Sequence, residues 1–227
     1  MKKHFFYATT FALTIFLAQA AWAQTVGIKG GINLASLSQE PFEANVEDLK
    51  EKSILGIQAG LVFELPIAEI FAIQPELLWV QKGGKSTYTF LGNEIERSVT
   101  YNHIQIPVLA KIKATTDGEA FGLNFFGGPF ASFSLGGKAK VTTKGTLSSE
   151  IEEDIDYSDD DNYERRLDWG LTFGLGANLG ALFLDLRYDL GINNLLDDDA
   201  SNANNNNKDP YLRTRGLGLT AGFMFGK

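Results

Sequence analysis

Regular alternation of apolar and polar residues is the feature of this 227-residue chain that most limits its fold. In eight segments every second side chain is apolar and the residues between are small or polar, the pattern of a β-strand with two unlike faces. The predicted strands are residues 25–36, 53–65, 70–83, 99–113, 119–135, 168–178, 182–193 and 214–225. The alternation therefore predicts an all-β protein.

The connections between these strands alternate in length. Three are short, and they are residues 66–69, 114–118 and 179–181. Four are long and polar, and they are residues 37–52, 84–98, 136–167 and 194–213. In an antiparallel up-and-down sheet the two kinds then lie at opposite ends, as they do in outer-membrane barrels, which have short periplasmic turns and long outer loops. With eight strands, both termini fall at the short-turn end.

Aromatic residues on the apolar face mark two heights along the predicted strands. Those near the short turns are Phe63, Phe71, Phe121 and Phe225, and those near the long connections are Trp79, Phe133 and Trp169. Two aromatic belts are typical of the two interfaces of a membrane. A soluble lipocalin-like barrel would instead turn its apolar face inward to a ligand. The pattern therefore favours an eight-stranded antiparallel up-and-down transmembrane β-barrel in the outer membrane.

The first residues have the three parts of a secretory signal peptide. A basic start at residues 2–4 precedes an apolar run at 5–17 and the small-x-small motif Ala21-Trp22-Ala23. The apolar run is short for a spanning helix. We therefore expect residues 1–23 to be a cleaved signal peptide and residues 24–227 to form the barrel domain.

The charge of the chain excludes some functions. It has 20 basic and 28 acidic residues and a net charge of −8. Nucleic-acid binding needs a basic face to meet phosphates, so no nucleic-acid partner is expected. The chain also contains no cysteine, which excludes disulfides and thiol chemistry.

A set of charged residues on the predicted polar face is the main candidate site. Eight strands enclose a lumen just wide enough for side chains to fill, and a charge buried there must be paired. The set consists of Lys29, Glu76, Lys111, Asp185, Arg187 and Asp189. Glu76 and Lys111 lie on neighbouring predicted strands. We predict a structural charge network that fills the lumen, and the alternative is a gated ion path.

His103 is the one histidine that remains after signal cleavage. Some outer-membrane barrels are lipid-modifying enzymes, and such chemistry needs a nucleophile, a base and a group that orients the base. Ser98 and Asp168 are expected at the same rim of the barrel, but no motif brings the three together. The chain is therefore predicted not to be an enzyme, with no catalytic residue and no cofactor.

The acidic segment 150–168 is a further candidate. Carboxylate clusters can bind Ca²⁺ through oxygen ligands, but the spacing does not match an EF-hand. A solvated, self-repelling loop is the favoured interpretation. No metal site is predicted.

Five phrases of the sequence, taken in order, resemble a known family. They are GIKGGINL at 27–34, QPELLWVQKG at 74–83, IQIPVLAK at 104–111, DWGL at 168–171 and LRYDLGINN at 186–194. They resemble the porin-like outer membrane protein beta-barrel family of Gram-negative bacteria, which includes PorT-type proteins. The resemblance spans nearly the whole mature chain. It implies an eight-stranded barrel in the outer membrane and implies no activity.

These observations support one main hypothesis of function. It is a non-enzymatic integral outer-membrane barrel with a plugged lumen and a structural or partner-binding role through its long loops. Its expected partners are outer-membrane lipid and an envelope protein bound through residues 136–167 and 194–213. The alternatives are a small porin-like channel and a lipid-modifying barrel enzyme. Eight strands argue against the channel, because aqueous pores have 16 or more.

Overall fold

The computed structural model describes seven stretches of the chain. They are residues 25–39, 50–90, 93–114, 121–144, 148–155, 166–196 and 211–226. The expected signal peptide, residues 1–23, lies outside these stretches. No helix within them is long and apolar enough to cross a bilayer.

Ten β-strands account for most of the described residues. They are β1 (Thr25–Gln39), β2 (Lys50–Lys52), β3 (Ile54–Ala68), β4 (Phe71–Phe90), β5 (Asn93–Lys113), β6 (Phe121–Lys144), β7 (Ser149–Ile155), β8 (Leu167–Leu179), β9 (Leu182–Gly191) and β10 (Leu212–Phe225). Eight of them form a closed antiparallel ring in the order β1-β3-β4-β5-β6-β8-β9-β10, with β10 paired to β1. The short strands β2 and β7 pair with β4 and β6 outside the ring. The prediction of an eight-stranded antiparallel up-and-down barrel is confirmed.

The alternation of the sequence places apolar side chains on the outside of the ring. Leu184 exposes 55% of its surface, whereas the adjacent Asp185 exposes 3%. The same holds for Ile28, which is half exposed, and Lys29, which is buried. Burial is inverted relative to a soluble protein, because the solvent of the outer surface is lipid and closure pairs every strand edge.

Three strands extend well beyond what a bilayer requires. A transmembrane β-strand needs about 9–11 residues, whereas β4, β5 and β6 have 20, 21 and 24 residues. Most of the predicted loop 84–98 is therefore the end of the β4–β5 hairpin, and residues 136–144 of the next predicted loop continue β6, with β7 paired alongside. We call this projecting part the outer sheet. It comprises β2, β7 and residues 85–90, 93–100 and 137–144.

A β-bulge separates the barrel from the outer sheet on β6. His103 pairs with Ser134 but Asn102 pairs with Gly136, so Leu135 is an extra residue on β6. Gly136 has a positive φ of 129°, which other residues rarely adopt. The bulge reverses the alternation on β6, so that even-numbered residues beyond it face outward. This reversal explains why the alternation predicted the end of the strand at residue 135.

The fold predicts opposite accessibility for the outer sheet and the turns. A Thr142→Cys variant should react with a membrane-impermeant maleimide on intact cells, because Thr142 lies in the outer sheet. An Ala181→Cys variant should react only after the envelope is opened, because Ala181 lies in the turn between β8 and β9. The chain has no native cysteine to compete. Labelling of Ala181→Cys alone on intact cells would show that the barrel is inserted the other way round.

Candidate functional site

Glycines on the inner face make room for the long side chains of the lumen. A Cβ atom on Gly218 would collide with the Gln58 amide and lie 3.0 Å from Arg187 Cγ, and one on Gly174 would collide with the Phe126 ring. Phe126 and Arg187 are the cross-strand partners of Gly174 and Gly218, so long side chains of adjacent strands extend over the glycine positions. This arrangement is what an interior of only eight strands requires if large residues are to fill it.

Glu76 is the centre of the lumen charge network. Its Oε1 accepts hydrogen bonds from Lys29 Nζ and Gln74 Nε2, both at 2.7 Å, and its Oε2 accepts one from Arg187 Nη1 at 2.9 Å. Lys29 Nζ also lies 3.8 Å from Asp185 Oδ2. The five side chains are all buried. Charge-assisted hydrogen bonds of this kind are shorter and stronger than neutral ones.

Asp189 extends this network towards the outer sheet. Arg187 Nε lies 3.7 Å from Asp189 Oδ1, which also accepts a hydrogen bond from Thr172 Oγ1 at 2.6 Å. Gln105 Nε2 donates to Asp189 Oδ2 at 3.0 Å. Both oxygens of the buried carboxylate thus have partners, which offsets its desolvation.

Lys111 lies nearer the short turns and is joined to the Glu76 network through Gln74. Its Nζ lies 2.8 Å from Glu64 Oε2 and donates to Gln74 Oε1 at 3.0 Å. Lys113 Nζ lies 3.2 Å from Glu64 Oε1. Lys111 therefore pairs with Glu64 and not with Glu76. Glu64 and Lys113 lie outside the predicted set, although alternation alone places Glu64 on the inner face.

A third ionic group lies in the lumen towards the outer sheet. Lys82 Nζ lies 2.7 Å from Asp168 Oδ2, and Thr214 Oγ1 donates to the same oxygen at 2.8 Å. The Lys82 ammonium also lies 4.4 Å from the centroid of the Phe130 ring. Lys82 and Asp168 also lie outside the predicted set.

His103 lies in the same region of the lumen, and its partner is a different serine from the one expected. Its Nδ1 is 3.0 Å from Ser132 Oγ, on the neighbouring strand, whereas Ser98 is in the outer sheet. His103 and Ser132 expose only 4% and 1% of their surface. An acyl-transfer nucleophile must meet its substrate, and this hydroxyl is enclosed by the barrel wall. The geometry favours a structural hydrogen bond.

Apolar side chains are also buried inside the ring. Val62, Phe183 and Met224 form a buried cluster near the short turns. Leu78, Leu109, Phe126 and Phe130 are buried along its length. Both ionic and apolar side chains are therefore buried inside the ring.

The buried charges of the described lumen are balanced in number. The cations are Lys29, Lys82, Lys111, Lys113 and Arg187. The anions are Glu64, Glu76, Asp168, Asp185 and Asp189. Because each sign occurs five times, the side chains can neutralise one another.

Lysines of β6 pair with the acidic residues of β7 in the outer sheet. Lys138 Nζ lies 2.5 Å from Glu152 Oε1, and Lys140 Nζ lies 2.7 Å from Glu150 Oε1. The hydrogen bond between Lys138 and Glu152 raises the pKa of the lysine and lowers the pKa of the carboxyl. Across the described residues, no three His, Cys, Asp or Glu side chains are grouped to hold a metal ion. Residues 156–165 of the acidic segment lie outside the described stretches.

A closed antiparallel ring with an apolar outer surface and charged side chains on its inner face defines a transmembrane β-barrel of the outer-membrane class. Residues 22–197 match the model of the outer membrane protein beta-barrel domain. The chain belongs to this family and is an integral protein of the outer membrane.

Solved structures of other bacterial outer-membrane proteins are similar in fold. OprG of Pseudomonas aeruginosa matches at 13% identity with a TM-score of 0.48, over 89% of this chain and 96% of that one. Ail, the attachment invasion locus protein of Yersinia pestis, matches at 14% identity with a TM-score of 0.41, over 88% of this chain and 98% of that one. Neisserial surface protein A matches at 11% identity with a TM-score of 0.42, over 87% of this chain and 96% of that one. A comparison with curated proteins found no match.

Proposed function

We propose that this protein is a non-enzymatic outer-membrane barrel whose lumen is closed and whose function lies in its outer surface. The observation that carries the proposal is the bridge made by Glu76 across the interior. Its carboxylate, on β4, binds Lys29 on β1 and Arg187 on β9. In the ring, β3 separates β4 from β1, and β10 separates β1 from β9. The bridge therefore links parts of the wall that are not neighbours.

A permeating ion would have to displace this bridge. Removing one partner of a buried, hydrogen-bonded ion pair leaves the other charge uncompensated, at a cost of about 3–5 kcal/mol. The buried apolar side chains of Phe126, Phe130 and Phe183 offer no replacement ligands. These features support a closed barrel over the alternative of a small channel.

The outer sheet supports a role in partner binding. Its strands extend beyond the length that is needed to cross a bilayer. Strand β7 pairs with β6 outside the ring, and every residue from 149 to 154 is exposed. Its carboxylates Glu150, Glu152 and Asp154 lie within 4 Å of the lysines of β6, so the surface presents charges of both signs. A partner whose charges match this pattern would be complementary to it.

Conductance separates the closed barrel from the channel. The wild-type protein in planar lipid bilayers should give no steady openings, because the lumen is packed. A Lys29→Ser/Glu76→Ser/Arg187→Ser variant removes the bridge and changes the net charge of the protein by only one unit. This variant should conduct more than the wild type. Steady wild-type openings with the same conductance as this variant would contradict the proposal.

A further inference from the structure

Two arginines at the outer end of β10 face the lipid side of the barrel. Leu212 and Thr214 point into the lumen and are buried. Alternation therefore directs Arg213 and Arg215 outward, directly beyond the lipid-facing Leu217. Both guanidinium groups lie at the upper edge of the apolar band.

Two serines on the neighbouring strand complete a group of hydrogen-bond donors. On β1, Ser36 is paired with Arg215 and Ser38 with Arg213, and the fully buried Ala35 shows that the even-numbered positions there face outward. Directly opposite residues have Cβ atoms about 4.5–5.5 Å apart, and alternate residues on one strand are about 6.8 Å apart. The four side chains thus form a compact grid that contains no carboxylate.

These arginines differ from the lysines of the outer sheet in their partners. Lys85, Lys138 and Lys140 each form an ion pair with a glutamate. Neither arginine is ion-paired with an acidic side chain in the described part of the chain. The described contact of Arg213 is with the ring of Tyr211, whose centroid lies 5.1 Å from its Cζ.

We propose that Arg213 and Arg215, with Ser36 and Ser38, bind the phosphate group of a phosphorylated glycolipid in the surrounding outer leaflet. A guanidinium matches the oxygens of a phosphate in a bidentate geometry, and hydroxyls add further donors. The grid lies at the level where lipid headgroups meet the barrel. The chain as a whole has a net charge of −8, so its long-range field repels anionic lipid and a local cationic site is needed to hold it.

Titration with defined lipids tests this site. The purified full-length barrel in non-ionic detergent is titrated with bis-phosphorylated lipid A, dephosphorylated lipid A and inorganic phosphate, and binding is followed by tryptophan fluorescence. Lipid A should bind the wild type and should bind an Arg213→Gln/Arg215→Gln variant at least about tenfold more weakly, because two charge-assisted contacts are lost. Arg97→Gln, at an exposed arginine of the outer sheet, is the matched control and should bind as the wild type does.

Three outcomes would overturn the proposal. They are equal binding of lipid A by the double variant and the wild type, equal binding of phosphorylated and dephosphorylated lipid A, and inorganic phosphate binding as tightly as lipid A, which would indicate a free-anion site. Heat-modifiable migration on gels shows that each variant is folded. If the double variant does not fold, Arg215→Gln alone is used, and it should still weaken lipid A binding severalfold.

Discussion

Replacing Glu76 with glutamine should lower the free energy of unfolding of the barrel by about 3–5 kcal/mol. The substitution keeps the shape of the side chain but removes the charge that Lys29 and Arg187 share at 2.7 and 2.9 Å. Two buried cations would then remain next to a neutral amide. Urea titration of the protein reconstituted in lipid vesicles, followed by tryptophan fluorescence, measures the change.

An exposed carboxylate is the matched control for this prediction. Glu152→Gln also breaks a short pair with a lysine, but on the surface of the outer sheet, and it should leave the unfolding midpoint unchanged. In addition, the combined Glu76→Gln/Arg187→Met variant should lose less stability than the sum of its two single variants, because the residues share one interaction. Equal effects of Glu76→Gln and Glu152→Gln would show that the buried network does not stabilise the barrel.

A Leu186→Arg substitution should destabilise the barrel by about 2–4 kcal/mol, the range for a cation on the lipid face near the bilayer midplane. Leu186 is paired with Leu175 on β8 and Leu219 on β10, and all three side chains are exposed on the outer surface. An arginine there would place its charge on the lipid-facing surface. Folded yield in vesicles, measured from heat-modifiable migration, and the urea midpoint both report the effect.

The same arginine placed beyond the membrane is the control for position. Thr89→Arg lies in the outer sheet at an exposed site and should fold as well as the wild type. Similar losses for Leu186→Arg and Thr89→Arg would mean that β9 does not present Leu186 to lipid.

Alternation was sufficient to predict which side chains face lipid and which face the lumen. Successive side chains of a strand point to opposite sides, and in this barrel one side meets lipid and the other meets the polar interior. Leu184 and Asp185 illustrate this, since adjacent positions have opposite environments. The same reasoning predicted the number of strands in the ring and the short turn at 179–181, whereas β3 continues to Ala68 through most of the predicted turn 66–69, and residues 115–118 of the predicted turn 114–118 lie outside the described residues. It needed no information about which strand pairs with which.

The outer sheet could not be predicted in this way, because the pattern changes where the membrane ends. Gly83 has a positive φ of 149°, and a Cβ there would collide with Val99 O. A glycine at such a position resembles the start of a loop, although β4 continues through it to Phe90. On β6 the bulge at Leu135 reverses the alternation, and beyond it both faces are accessible to water.

The ion pairs inside the lumen could not be predicted from the sequence pattern either. Glu76 and Lys111 lie on adjacent strands, but ion pairs across a barrel depend on the stagger of the strands and on the reach of each side chain. Lysine and arginine reach past the nearest residue when glycines leave the way open, as Gly218 does beside Arg187. Inward-facing charges could therefore be identified from the sequence, whereas their partners could not.

The pairing of β1 with β10 has a consequence for the timing of assembly. Val26 pairs with Phe225, and the ladder continues to Gln39 and Leu212, so the two strands that close the ring are among the first and the last of the barrel to be synthesised. At roughly 5–20 residues per second, translation of the intervening chain takes about 10–40 seconds. Throughout this interval β1 lacks one of its two neighbours, and an unpaired edge is not tolerated in the hydrocarbon. The ring therefore cannot be completed in the membrane until the last strand of the chain has been made.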